Sequence, residues 1–324
     1  MQSHAVTFFL ILVFWHAITL AQDVADNSRT TNEALTAHEA GTLSYNSRRY
    51  EEALKSFQTA IKLRPEWALP RIGLCVTLGK IGQYDQAIQA CQRAVLIKPN
   101  SARAYYNLGR MYDEVGRDMD SVEALRIAIS LRPDFAEAYH SLGGAYSDMG
   151  RYRRAIAALN EAIRYKVDGF EAYNDRGIAY HKLGRYSEAI ESFQQAIHFK
   201  PELPGLYDNL GVAYAKWGNY EEAVNAFAKS IELKPNRAEV HYHIGTAYHK
   251  LGRNKQAAKA FKSATILRPS YAAAHRDLGL IYLVLGEREA ALGQYKKLME
   301  LNFKEMAGSL FREIHKDKLL DVSP

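Results

Sequence analysis

Residues 136–169 read AEAYHSLGGAYSDMGRYRRAIAALNEAIRYKVDG. Apolar residues recur at spacings of three and four on both sides of Gly150, so the stretch reads as two amphipathic helices joined at a glycine. Tyr139, Leu142, Gly143, Tyr146, Gly150, Tyr152, Ala155, Leu159 and Ala162 hold positions 4, 7, 8, 11, 15, 17, 20, 24 and 27 of this 34-residue unit. Similar residues return at the same positions, without insertion, in units 34–67, 68–101, 102–135, 170–203, 204–237, 238–271 and 272–305. A fixed period of this length marks a stacked array in which no unit can bury its own apolar face alone.

The punctuation of each unit agrees with two helices. Gly82, Gly150, Gly218 and their equivalents stand just past the first helix, where a left-handed residue is wanted. Second helices open on acidic residues such as Glu51, Asp85, Glu188 and Glu221, which suit the positive end of a helix dipole. They close before Pro65, Pro99, Pro133, Pro201, Pro235 and Pro269, and Asn100 or Ser101, Asp134, Asn236 and Ser270 are predicted to cap the next helix. Gly109, Gly143, Gly177, Gly211, Gly245 and Gly279 lie mid-helix, where glycine costs about 1 kcal/mol relative to alanine. Close approach of the two helices is predicted to offset that cost, with Ala155, Ala189, Ala223 and Ala257 opposite leaving room and aromatic rings filling the gaps.

The flanks differ from the array. Residues 5–15 (AVTFFLILVFW) form an uncharged apolar block, followed by His16 and by Thr19 and Ala21, small residues placed for cleavage before Gln22. Residues 1–21 therefore read as a signal peptide and the mature chain as exported, periplasmic or secreted, although the first four residues contain no Lys or Arg. The alternative is a membrane anchor over residues 5–21, at the lower limit of a spanning helix. Residues 22–33 read as a polar lead-in. Residues 306–324 read as a capping helix and tail, with Met306, Leu310, Phe311, Ile314 and Leu319 on one face.

At 324 residues, 48% hydrophobic and 24% charged, the composition is that of a folded protein, and the period makes length a count of repeats rather than of domains. A net charge of +6 would draw anionic partners through a long-range field, or reflects a solvated surface with a small excess of Lys and Arg. Two cysteines, Cys75 and Cys91, hold positions 8 and 24 of the second unit. One lies on each helix of a hairpin at roughly opposite heights, so they are either a disulfide formed in an oxidising compartment or two small buried fillers.

These residues together resemble the tetratricopeptide repeat family. The resemblance implies an all-α fold, a right-handed α-solenoid superhelix of eight helix-turn-helix repeats plus a C-terminal capping helix. Departures gather at the ends: Ala37, Ala40 and Ser44 replace larger residues in the first unit, and Leu298 and Phe303 stand where the last would have a small residue and a proline. Inside the array Ser121 replaces the usual alanine and Val167 the usual proline.

No catalytic residues are identified: the sequence has no phosphate-cradling glycine loop, no GxSxG, no HExxH and no paired CxxC. No cofactor is implied. His241 and His275 stand where an aromatic normally packs, and the histidines form no compact set with metal-ligand spacing. The resemblance implies instead that the first helices line a concave groove at unit positions 2, 5, 6, 9, 12 and 13, which receives a peptide or a partner's helix. Those positions supply Tyr106, Asn107, Arg110, His140, Asn174, Asp175, His181, Asp208, Asn209, Tyr242, His243, His249, Arg276 and Asp277. Asn, Asp and His recur at position 6, a row that would bond a bound backbone without much demand on its sequence.

A second row, Lys182, Lys216 and Lys250 at position 13, would run along one edge, with Arg117, Arg151, Arg185 and Arg253 three positions on. Helix-dipole complementarity accounts for it, with an anionic ligand as the alternative. The Lys, Arg and Asn arrangement by which similar cytosolic proteins hold acidic chaperone tails is missing from groove positions 2, 5 and 6. The expected function is a non-enzymatic scaffold for a protein or peptide in envelope or secretory assembly. The rivals are an accessory substrate-recognition subunit of a separate enzyme, and binding of an anionic polymer or glycan along the lysine row. Nucleic acid is not expected, and a membrane only if the apolar segment stays uncleaved.

Overall fold

The structure, a computed structural model, describes residues 28–165 and 169–316. The segment read as a signal peptide, Val167 and Leu319 lie outside the described residues. All secondary structure among the described residues is helical. The chain divides into two compact units, one ending at Gly150 and the other beginning at Arg151.

The first unit contains α1, described over 28–46, then α2 (Tyr50–Leu63), α3 (Ala68–Lys80), α4 (Tyr84–Ile97), α5 (Ala102–Glu114), α6 (Asp118–Leu131) and α7 (Ala136–Asp148). The second contains α8 (Tyr152–Tyr165), α9 (Phe170–Lys182), α10 (Tyr186–Phe199), α11 (Pro204–Trp217), α12 (Tyr220–Leu233), α13 (Ala238–Lys250), α14 (Asn254–Leu267), α15 (Ala272–Val284), α16 (Arg288–Glu300) and α17 (Lys304–Ile314). From α2 to α7 and from α8 to α17, each helix packs on its successor, so hairpins stack in chain order. Helix α1 is already formed at residue 28, inside the stretch read as a lead-in; Arg29 and Glu33 pair along it and Ala34 is fully buried.

The turn inside each hairpin is left-handed, with φ of 79° at Gly82 and 95° at Gly218. The first repeat makes the same turn with Arg48 at φ 59°, a conformation that a residue with a Cβ adopts at a cost. Second helices stop one or two residues before each proline; α10 ends at Phe199 ahead of Pro201. The predicted side-chain caps are mostly not formed. Ser101 Oγ accepts from the Ala104 amide at 3.3 Å, but α7, α13 and α15 begin after Phe135, Arg237 and Tyr271, without a side-chain cap. Asp134, Asn236 and Ser270 each stand one residue too early; of the residues that follow them, Phe135 is buried and Arg237 and Tyr271 are half-buried. Short backbone bonds, such as Ala138 N to Phe135 O at 3.0 Å, take over the capping.

A different tie crosses this turn. The position-4 side chain reaches the carbonyl of the preceding proline: His275 Nε2 to Pro269 O at 3.0 Å, His241 Nε2 to Pro235 O at 2.9 Å, and Arg71 to Pro65 O. His275 is buried and its Nδ1 meets Gln294 Oε1 at 2.7 Å. The ring therefore holds both the turn before its helix and the helix after it.

In the first, fifth, sixth and seventh repeats the hairpin core is a ring on a glycine. A Cβ added to Gly177 would lie 2.6 Å from Phe193, and one on Gly211 would lie 2.6 Å from Phe227. Phe193, Phe227 and Phe261 are almost fully buried. The close approach is thus between the glycine and the position-24 ring, while the opposing alanines Ala189, Ala223 and Ala257 are themselves sealed at zero exposure. In the second repeat Cys75 and Cys91 occupy these same two positions and are joined by a disulfide, with Cα atoms 5.4 Å apart. Arg176, where neighbouring repeats carry Leu or Ile, donates to Asn160 Oδ1 on α8 at 3.0 Å and to Ser192 Oγ on α10 at 3.1 Å. At the chain end Leu310 of α17 lies over Gly279, and Ala307, Leu310 and Ile314 are buried. Phe311 departs from the expected buried face: it is 43% exposed, against Tyr295 and His315.

Candidate functional site

First helices of successive repeats meet through side chains 35 residues apart, position 5 of one with position 6 of the next. Asn209 Nδ2 donates to Asn174 Oδ1 at 2.9 Å, and Tyr242 Oη donates to Asp277 Oδ2 at 2.8 Å. Each link is extended: Asn174 donates to Asp175 at 3.1 Å, and Arg276 donates to Asp277 Oδ1 at 2.8 Å. Burial and the bond to Asp277 push the Tyr242 hydroxyl up to about 12, so it stays protonated as a donor. Asn107 is buried and donates to its own helix at Arg103 O, 2.8 Å away, since position 5 of the preceding repeat is Ile72 and offers no partner. Of the expected row at position 6, Asn209 and Asp277 join repeats, whereas Asn107 is bonded within its own helix.

The junction between the two linked ones, α11 with α13, lacks the link. The pair at the equivalent place is Asp208 and His243, and they are not hydrogen-bonded to each other. Asp208 is buried and forms an ion pair with Arg237. His243 Nδ1 is buried with no hydrogen-bond partner, and burial holds its pKa below the ordinary histidine value against the pull of Asp208 and Glu239, so the ring is neutral at pH 7. A cleft of about 460 Å³ lies here, lined by Val212, Ala215 and Lys216 of α11, Tyr220 and Phe227 of α12, and Tyr242, His243, Thr246, Ala247 and Lys250 of α13. The lining positions include 5, 6, 9, 12 and 13, five of the six expected to face a groove.

The first unit has a smaller cleft, about 210 Å³, in the same register. Its lining runs from His38, Thr42 and Tyr45 of α1 over Phe57 to Leu69, Ile72 and Val76 of α3, with Arg103 at the margin. Phe57 and Phe227 both stand at position 24, so each cleft lies between two first helices over the ring of the second helix between them. His38 Nδ1 is buried without a hydrogen-bond partner, and burial and Arg103 lower its pKa.

The other sequence-selected residues are dispersed. Tyr106 lies 4.9 Å from the Phe135 ring with Arg110 over its face at 5.8 Å. His140 is half-buried on α7. His181 is half-buried against Tyr186, its pKa lowered by burial and then by Lys182 and Lys216. His249 is exposed, with Nδ1 3.1 Å from Asn254 Oδ1 at the hairpin turn. Lys182 is exposed in the last turn of α9, away from the cleft walls.

The basic edge divides in two. Three of its arginines are engaged within the fold: Arg117 and Arg185 lie over Tyr112 and Tyr180 at 4.4 and 4.7 Å, and Arg253 makes two bonds, 2.9 and 2.7 Å, to Glu221. The lysines are not, and Lys216 and Lys250 rim the cleft that also contains Tyr242 and His243. Groove row and lysine row, separate in the sequence, are one surface there. Val212, Ala215 and Thr246 stand at positions 9 and 12, within the groove register, but as small or apolar residues they carry no chemical signal that would single them out.

Among the described residues no group of three or more His, Cys, Asp and Glu side chains could hold a metal ion, and no helix is long and apolar enough to cross a membrane. Family models described as tetratricopeptide repeat match residues 36–66, 102–135 and 140–204, and a model described as TPR repeat matches 79–116, 216–252 and 247–286. The chain belongs to the tetratricopeptide repeat family. No curated protein matches it. Among solved structures, this tetratricopeptide repeat chain is similar to a chain of the APC/C hetero-tetramer Cut9-Hcn1, at 20% identity and a TM-score of 0.53, over 82% of this chain and 52% of that one. It thus spans about half the length of that relative. It is also similar to YrrB, described as a TPR protein with an unusual peptide-binding site, at 22% identity and a TM-score of 0.51, over 58% and 97% of the two chains. MamA 41-end from Desulfovibrio magneticus RS-1 matches at 22% identity and a TM-score of 0.50, over 52% and 96%. At these identities the likeness is one of fold.

Proposed function

We propose that this tetratricopeptide repeat chain is a non-enzymatic scaffold that holds a protein or peptide partner against its first helices, as part of envelope or secretory assembly after export. The observation that carries the reading is the repeated cleft. Two junctions, α1–α3 and α11–α13, open at the same register over a position-24 phenylalanine, with side chains of two repeats on their walls. A fold that buries its repeated residues in packing leaves such junctions as the places where a partner is read. The peptide-binding site in the description of YrrB supports the same use of the fold. Export is supported by the Cys75–Cys91 disulfide, since cytosolic reductants keep thiols apart, and by the apolar block at residues 5–15.

Site-specific photocrosslinking tests the reading. Photoreactive residues at Tyr106 and Thr246, on first helices, should capture one defined partner that Ile266, on the solvent side of α14, does not. Capture from Ile266 with none from Tyr106 or Thr246 sinks the proposal. Fractionation of cells carrying the full chain should place the protein outside the cytoplasm with residues 1–21 removed; a full-length cytosolic product would overturn the export part.

A further inference from the structure

We infer that the cleft between α11, α12 and α13 takes an internal acidic segment of a partner protein, in which one apolar side chain lies between two carboxylates, with the spacing Glu-x-Φ-x-Glu. The inference rests on the scaffold reading and names the ligand chemistry of one junction. The cleft lies at a junction whose position-5 to position-6 link is missing. At the flanking junctions Asn174 with Asn209 and Tyr242 with Asp277 close the gap, whereas Asp208 is drawn off by Arg237 and His243 is left without its partner.

The floor and walls are apolar or aromatic, with Val212, Ala215, Tyr220, Phe227 and Tyr242 prominent, so the pocket favours a ring or a branched aliphatic side chain. The arginines around it are compensated. Arg237, Arg253, Arg268 and Arg276 each pair with a carboxylate, on Asp208, Glu221, Glu239 and Asp277. Lys216 and Lys250 are exposed on the two walls and have no carboxylate partner among the described residues. A cleft with an apolar floor and one uncompensated cation on each wall complements an apolar side chain with one anion on each side.

The spacing follows from an extended segment. In a segment laid across the cleft from α11 to α13, side chains two apart point the same way and stand about 7 Å apart, so carboxylates at i−2 and i+2 face the two walls on either side of residue i, which enters the cleft. Lysine stems are long enough to lean over an apolar rim and meet them. A partner's terminal carboxylate offers only one anion, and a polyanion offers no apolar group to the floor.

The test uses the full chain and fluorescein-labelled peptides, acetylated and amidated, with Glu-Ser-Phe-Ser-Glu in a Gly-Ser background. The Gln-Ser-Phe-Ser-Gln and Glu-Ser-Ala-Ser-Glu peptides should bind at least about tenfold more weakly by fluorescence anisotropy. Lys216→Glu with Lys250→Glu should lose at least about tenfold, and Ala215→Phe, which fills the cleft, a similar amount. Lys182→Glu, outside the cleft, should stay within about threefold, and circular dichroism melts should show every variant folded. Equal affinity for the Glu and Gln peptides, unchanged binding by the double lysine variant, or tight binding only of a free-acid peptide or of heparin overturns the inference. Partner capture at Tyr106 or Thr246 in spite of that result would leave the scaffold reading standing; loss of both would remove both.

Discussion

Phe193 lies against the bare Cα of Gly177, so a Cβ there would sit 2.6 Å from Cε1 and 2.7 Å from Cδ1. Helix α10 cannot retreat, because Ala189 and Ala196 are already sealed against their neighbours. Gly177→Leu should therefore lower stability by about 1–3 kcal/mol through overpacking, read by urea unfolding. Combining it with Phe193→Leu should return part of the loss, as expected of residues in contact; strictly additive losses would show that the ring is not what the glycine accommodates. Asp113 gives a second test at this scale. Burial, then Asp148, Asp118 and Glu114, raise its pKa to about 6, and its Oδ1 is buried without a hydrogen-bond partner. A carboxyl whose folded pKa lies above its unfolded value binds more protons when folded, so its contribution to stability falls as pH rises from about 4 through about 6. The side chain is half-buried, and solvent screening reduces the cost of its charge to on the order of 1 kcal/mol at pH 7.5. Asp113→Asn should raise stability by that amount at pH 7.5 and leave it unchanged near pH 4. A gain that is equal at both pH values would mean the effect is steric rather than ionic.

At the scale of the hairpin, the second repeat replaces ring-on-glycine packing by a covalent bond between α3 and α4. Cys75 and Cys91 are 16 residues apart and fully buried, so the bond closes a short loop in the unfolded chain. Loss of that constraint costs about 3 kcal/mol. Cys75→Ala with Cys91→Ala should lower the unfolding free energy by about that much, and reductant should reproduce the loss only once the chain is unfolded, since neither sulfur is reachable when folded. A double variant as stable as the parent would show that the pair acts as two small fillers. Helices and turns of this kind are legible in the sequence because glycine, proline and apolar spacing are local signals. The caps are not: whether Asp134 or Phe135 ends a turn depends on which of them the neighbouring helix buries, and that is a tertiary fact. The disulfide sits between these cases, since positions 8 and 24 are readable but their bonding is not.

At the scale of the whole molecule, an array is stable as the sum of its repeats and the interfaces between neighbours, and its ends need covering. The period identifies groove positions, but not which junction stays open, because that is set by cross-repeat pairs 35 residues apart. Asp208 and His243 offer a bonding pair as Tyr242 and Asp277 do, yet Asp208 pairs instead with Arg237, from the turn before α13. The same nearest-neighbour logic governs the C-terminal end. Leu310 and Ile314 of α17 are buried against α15 and α16, in one cluster with Ala272, Ala291 and Leu298. Fully burying such a side chain contributes about 1.5–3 kcal/mol, so removing residues from 304 onward should cost on the order of 5 kcal/mol locally. If coupling runs only between neighbours, amide hydrogen exchange should lose protection in α15 and α16 and keep it in α9 and α10, where Phe193 stays sealed by residues the deletion does not touch. Equal loss of protection from α9 through α16 would show instead that the repeats unfold as one cooperative block.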